Sequence, residues 1–349
     1  MPQTFWQGRS VFVTGAGGFL GGWLVKSLLL EGADVTVLIR DHNPGSLLAR
    51  DGLLERTTVV RGSLDDAGLL ERCLTERSIE TVFHLAAQPL VVKALAYPAE
   101  TLKANVEGTW NVLEAARRTH VAQTVLASSL KAYGRRTAMP YRESDPLEGR
   151  HPYDVSKSCA DLIAAMYAAT YGVPIAVVRC ANLFGGGDLN LSRTIPGAIR
   201  ATLAGERFRI RSDGKTLRDY LYAKDAVRSY LLVAEALDRS PELAGQAFNF
   251  SLSTPQSVLE TASTVLKLMG RTDLEPVIEN QSGAESPEQL CTDKAQSVLG
   301  WQPLYPMDEG LRETIDWYTE YFAGQRMSPG TEISGTATPW QRQAAVPAP

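Results

Sequence analysis

The chain is poor in cysteine. Cys73, Cys159, Cys180 and Cys291 are the only four in 349 residues, and no two form a C-x-x-C pair. That spacing offers neither a zinc motif nor a disulfide framework, so no metal site is expected and the thiols are expected to be reduced and packed. Long apolar runs are missing too: no stretch approaches the ~20 residues that a membrane helix needs. The N-terminal stretch MPQTFWQGRSVFVTG lacks a basic region followed by an apolar one, so no secretory signal is expected. Charge of one sign is also lacking. Lys and Arg total 35 against 39 Asp and Glu, a net charge of −4, which excludes a basic nucleic-acid or membrane footprint. A cytoplasmic location is the expectation. What is present is an ordinary globular composition, 44% hydrophobic and 21% charged. The length suits one large or two coupled domains.

The first half alternates short β-rich runs with helical patterns. The runs are Ser10–Thr14, Asp34–Ile39, Thr57–Val60, Thr81–Ala86, Thr124–Ser128 and Ile175–Arg179. Most are continuously apolar, as strands covered on both faces are, which predicts a parallel sheet. Helices are expected between them, among them Phe19–Leu30 and Ala99–Thr119. The fold class is therefore α/β, a doubly wound parallel Rossmann sheet with ligands at the carboxyl ends of its strands. Residues 1–180 read as the dinucleotide-binding domain and 181–326 as a smaller C-terminal α/β substrate domain. The latter has expected helices at Arg193–Ala204, Lys224–Leu237, Ser257–Met269 and Asp308–Phe322. The two are partly interleaved, because Phe248–Ser251 looks like a buried strand returning to the sheet. Residues 327–349, rich in Pro, Ser, Thr, Gly and Ala, read as a disordered tail.

Two constellations carry chemistry. The first strand runs straight into Gly15, Gly18 and Gly21 in a G-x-x-G-x-x-G loop that opens a helix. Residues without Cβ let backbone approach a pyrophosphate at the helix N-terminus, and the strand-loop-helix context supports a dinucleotide site over a plain tight turn. At the end of the second strand Arg40 suits a 2′-phosphate, whereas Asp41 suits a ribose hydroxyl, so NAD is expected with NADP not excluded. Tyr153 and Lys157 stand four apart in HPYDVSK, on one face of a helix. An ammonium near a phenol lowers its pKa and makes a tyrosinate available as base. Ser129, at a strand end in LASSLKAYG, is placed to bind the same substrate hydroxyl.

Together TGAGGFLG, HLAAQ, NVEGT, SSLKAYG, YDVSK, RCANLFG and RDYLYAKDAV resemble the extended short-chain dehydrogenase/reductases, the nucleotide-sugar epimerases and dehydratases. The similarity spans about residues 8–325. HLAAQPLV, the SxKxY stretch and NLFGGGD look closest to the CDP-glucose 4,6-dehydratase-like branch. The resemblance implies Ser129, Tyr153 and Lys157 as catalytic residues. It implies cofactor contacts from Gly15, Gly18, Phe19, Leu20, Gly21, Arg40, Ser63, Leu64, Ala86, Ala87, Asn105, Tyr153 and Lys157. Gln88, Ser129, Asn182, Arg193 and Arg218 are implied to meet a nucleotide-diphosphate sugar. It also implies a homodimer in which helices Ala99–Thr119 and Tyr153–Tyr171 of each subunit form a four-helix interface.

Two positions depart from the family pattern. Gly62-Ser63-Leu64 has serine where an aspartate usually binds adenine. Leu130-Lys131 stands where the 4,6-dehydratases carry an acid followed by a base, Asp-Lys in the CDP branch. Lys131 suits the base, but Leu130 has no proton to give, and one general acid is typically worth ~10²–10⁴-fold. The first expectation is therefore an epimerase that works through transient oxidation at carbon 4 to a 4-keto sugar. The alternative is an NDP-glucose 4,6-dehydratase with an altered acid position. A dinucleotide sensor without turnover has no need of Ser129, Tyr153 and Lys157, all of which are present.

Overall fold

The computed structural model describes residues 4–135, 138–281 and 286–326. The expected tail, 327–349, lies outside the described residues. Seven strands form one sheet: β1 Ser10–Thr14, β2 Asp34–Ile39, β3 Thr58–Arg61, β4 Thr81–His84, β5 Gln123–Ser129, β6 Ile175–Cys180 and β7 Ala247–Phe250. Their spatial order is β7-β6-β5-β4-β1-β2-β3, and every neighbouring pair is parallel. The order reverses between β4 and β1, which opens the crevice that binds ligands in doubly wound sheets. Thr14 lies level with both Leu38 and His84, so the loops after β1, β2 and β4 emerge side by side.

The continuous apolar runs are explained by layers on both faces. Val11, Val13, Val35, Val37, Phe83 and Val125 share a core with helix α1, Phe19–Leu30, and with the helix Ala223–Arg239. Phe12, Leu38 and Val82 point the other way, against Leu70, Leu74 and Val112. The smaller unit has a core of its own around Phe184, Ile199, Tyr222, Val265, Leu311 and Tyr318. β7 and Ala223–Arg239 return to the main sheet and core from this half of the chain, as Phe248–Ser251 suggested.

Several boundaries move for visible reasons. Strand β4 ends at His84 and not at Ala86: Leu85 N–H still bonds Thr14 O (3.2 Å), but the chain then leaves the sheet to cross Gly15. The long helix expected over Ala99–Thr119 is three pieces, Pro98–Leu102, a π-helical stretch Lys103–Glu107, and Gly108–Arg118. A two-residue strand, Arg209–Ile210, lies in the smaller unit. No helix among the described residues is long and apolar enough to cross a membrane. Cys73, Cys180 and Cys291 are buried, Cys159 is half-buried, and all four are free thiols.

Candidate active site

The glycine loop is shaped by contact, not by composition. Gly15 has φ +74°, and a Cβ there would lie 2.6 Å from Ala86 N. A Cβ on Gly21 would lie 2.1 Å from Gly15 O. Helix α1 has Gly18 as its N-cap and no side-chain cap, so its first N–H groups are left for an anion. Phe19 lies on the Gly185 side of the loop, Leu20 packs on the main core, and Ala86 N–H bonds Thr14 Oγ1 (3.2 Å). The residues present thus fit a dinucleotide pyrophosphate, with backbone crowded wherever a side chain would intrude.

Past β2, Arg40 and Asp41 are exposed and paired with each other at 2.7 Å. Beside them a small hollow is lined by Gly17, Ile39, Asp41, His42, Asn43 and Leu48. Its His42 and Asn43 carry no motif by which sequence could single them out. Ser63 caps its own turn through Asp65 N–H (3.4 Å), and Leu64 O accepts from Asn111 Nδ2 (2.9 Å). Asn105 is buried and ties the Gln88 backbone to Ser156 Oγ (2.9 Å). Gln88 spends its side chain on Leu90 of its own loop and on Thr101 of the helix Pro98–Leu102. His84 is fully packed between Thr14 and Thr109, and burial first, with the Lys157 charge second, pushes it down to about 3.

Helix α2, Pro152–Tyr171, begins with proline at its first position and His151 Nδ1 accepting from Tyr153 N–H (3.3 Å). Tyr153 hydrogen-bonds Ser129 at the end of β5. Burial raises the phenol, and the Arg193 charge and the Ser129 bond oppose that rise. Lys157 instead donates to Ala127 O at 2.9 Å, and burial pushes it down to about 8, against the pull of Asp161. The sequence expectation of a phenol lowered by Lys157 is therefore corrected: burial raises the phenol, and the cation that opposes the rise is Arg193. A buried network underlies this corner. Arg179 on β6 forks onto Asp161 of α2 (2.8 and 3.1 Å) and also donates to Tyr133 Oη (2.8 Å). Ser128 also bonds Asp161. These contacts hold β5 and α2 in register, and with them Ser129 and Tyr153.

The substrate side is gathered by a residue that sequence did not single out. Glu288, buried, pairs with Lys131, accepts from Asn182 Nδ2 (2.8 Å) and lies 3.7 Å from Arg218. Arg193 bonds Asp188 Oδ2 at 2.9 Å. Leu130 is 3% exposed and belongs to the main apolar core. A tyrosine, a serine and a lysine in this arrangement near the glycine loop can carry out alcohol–ketone oxidoreduction.

Residues 11–250 match the NAD dependent epimerase/dehydratase family, and the chain belongs to that family. It is 30% identical to a CDP-glucose 4,6-dehydratase of Salmonella typhimurium, over 94% of this chain and 95% of the relative. It is 29% identical to a UDP-glucose 4-epimerase of Halalkalibacterium halodurans, over 89% and 96%. The fold superposes on the dTDP-glucose 4,6-dehydratase DesIV of Streptomyces venezuelae, solved with NAD bound, with a TM-score of 0.81 and 28% identity over 90% of this chain and 98% of that one. Enzymes of both kinds, epimerases and dehydratases, thus resemble it along nearly its whole length.

Proposed function

We propose that the protein is a nucleotide-sugar 4-epimerase that binds NAD in the Gly15–Gly21 cradle. The observation that carries this is Leu130, buried in the apolar core where a 4,6-dehydratase needs an acid. Tyr153 takes the proton of the sugar 4-hydroxyl while Ser129 aligns that hydroxyl. When bound, the dinucleotide supplies the acceptor, and later the donor, of the carbon-4 hydride. Arg193 adds positive charge near the phenol, which favours its ionised form against the cost of burial. Asn182, Arg193 and Arg218 bind the diphosphate, and the 4-keto sugar turns over before reduction.

The second reading, a 4,6-dehydratase, is favoured by the 30% identity to the Salmonella enzyme. One experiment separates the two. UDP-, GDP-, CDP- and dTDP-hexoses are incubated with the enzyme and NAD, and products are read by mass and NMR. An unchanged mass with a new sugar configuration is expected. Loss of one water would replace the epimerase reading with the dehydratase one.

Leu130→Asp tests the same position. A carboxylate placed in the apolar core costs several kcal/mol when unpaired, so we expect a lower melting temperature and no elimination product. A stable variant that releases water would show that the pocket was built for dehydration.

The assembly is proposed to be a homodimer. On α2, Ala160, Ala164 and Tyr167 are buried against the core, whereas Leu162 is 60% exposed and Met166 42%. Leu95, Leu102 and Trp110 add apolar surface at 61%, 40% and 44% exposure. A second copy of this face would cover these residues. Light scattering at micromolar concentration is expected to give twice the 38.0 kDa chain mass, falling toward a monomer in a Leu162→Glu variant.

A further inference from the structure

We propose that the Glu288 carboxylate is an internal competitor of the ligand diphosphate: it occupies the Asn182 amide, and a phosphate oxygen takes its place there when a nucleotide sugar binds. This rests on the proposed reading of Asn182 and Arg218 as diphosphate ligands, and adds the group that Asn182 must first release.

The donors of Asn182 are fully used. Its amide nitrogen carries two hydrogens, one donated to Asp219 O (3.0 Å) and the other to Glu288 Oε2 (2.8 Å). Both partners are acceptors, so the NH₂ group and not the amide carbonyl faces them. Asn182 N–H is used as well, on Asp219 O (3.0 Å). A phosphate oxygen therefore reaches the Asn182 amide only by displacing one of these partners. Asp219 O is main chain, next to the parallel pairing of Asn182–Phe184 with Tyr220–Tyr222, and it cannot turn away. Glu288 can. Its backbone is held through its own N–H to Leu217 O (3.1 Å) and through Leu290 N–H to Asp219 Oδ2 (2.9 Å). A rotamer change moves its carboxylate and leaves that backbone in place.

The carboxylate sits where an anion suits the donors. One oxygen pairs with Lys131, the other accepts from Asn182, and Arg218 Nη1 lies 3.7 Å away. Burial by itself would raise Glu288, but Lys131 and Arg218 outweigh it and hold the carboxyl below its usual range. Glu288 thus carries the same sign of charge as a diphosphate, and two anions in contact with one amide repel each other. The cluster is not sealed. Glu288 is 5% exposed, but the Lys131 side chain that covers it is 32% exposed, so an anion can approach from the Lys131 side.

The test is calorimetric titration of the full chain with NAD saturating, so that the glycine cradle is filled. UDP, CDP, GDP and dTDP are the nucleotide probes, inorganic pyrophosphate is the bare anion, and the matching nucleosides carry no phosphate. Glu288→Ala removes the contact. Glu288→Gln removes only the charge, and being nearly isosteric it carries the test if Glu288→Ala does not fold. The nucleoside diphosphate that the parent binds is expected to bind about tenfold more tightly to Glu288→Ala, as when a contact leaves about one molecule in ten competent. A smaller gain is expected in Glu288→Gln, and none for the nucleoside. In an Asn182→Ala background, Glu288→Ala is expected to add little, because the contested amide is gone. A full gain in that background overturns the proposal, since Glu288 would then act by charge alone and not at Asn182. Unchanged or weaker binding in both Glu288 variants overturns it too, and makes Glu288 a residue that orders the donors. If no nucleoside diphosphate binds the parent or any variant, the nucleotide-sugar reading fails, and pyrophosphate decides the competition separately. Tighter pyrophosphate binding in Glu288→Ala upholds it; no gain, or no binding, overturns it.

Discussion

Tyr153→Phe is expected to lower kcat by ~10²–10⁴-fold, the usual worth of a positioned base, with circular dichroism and melting temperature close to those of the parent. Phenylalanine keeps the ring and removes only the oxygen that meets Ser129. The parent kcat/KM should rise with pH along its acidic limb, because the active form of Tyr153 is the anion and burial opposes its formation. That limb should vanish in the variant, whose residual rate has no ionising base. Parent-like turnover in Tyr153→Phe would remove the tyrosine from the chemistry.

Gly15→Ala is expected to abolish stable NAD binding, measured by calorimetric titration and by the dinucleotide released on denaturation. Two costs combine. A non-glycine residue at φ +74° is strained by about 1–3 kcal/mol. Its Cβ would also collide with Ala86 N at 2.6 Å; Ala86 N is backbone and the Cβ position is fixed by the chain, so no rotamer change relieves the contact. The loops after β1 and β4 must then separate at the floor of the crevice. Gly172→Ala is the control. Its φ is +64°, but nothing lies within 4 Å of the added Cβ, so it should show a modest loss of stability and normal NAD binding. Equal behaviour of the two variants would show that the close approach at Gly15 has no part in cofactor binding.

Much of this architecture was legible in the chain because its signals are local. Val11–Val13 and Val35–Ile39 are continuous apolar runs that only a doubly covered strand accommodates. The glycines follow the first strand directly, and Tyr153 and Lys157 share a helix face, so spacing alone announces them. Boundaries were less legible where a tertiary contact ends an element. The apolar run through Leu85 and Ala86 suits a strand, but the chain there turns aside to pass Gly15. The π-helical step at Lys103–Glu107 has no pattern in the sequence.

The sequence by itself determined the doubly wound class, the glycine loop after the first strand and the shared helix face of Tyr153 and Lys157, because each depends on residues close in the chain. It also showed that position 130 cannot donate a proton. Only the tertiary structure decided what Lys131 meets. Glu288 belongs to no motif and carries no periodic signal, and it reaches the site because Leu290 is held by Asp219 and Gln289 by Tyr141. Which partner a side chain meets depends on how folding brings distant segments together, and residues 157 positions apart carry no local record of that proximity.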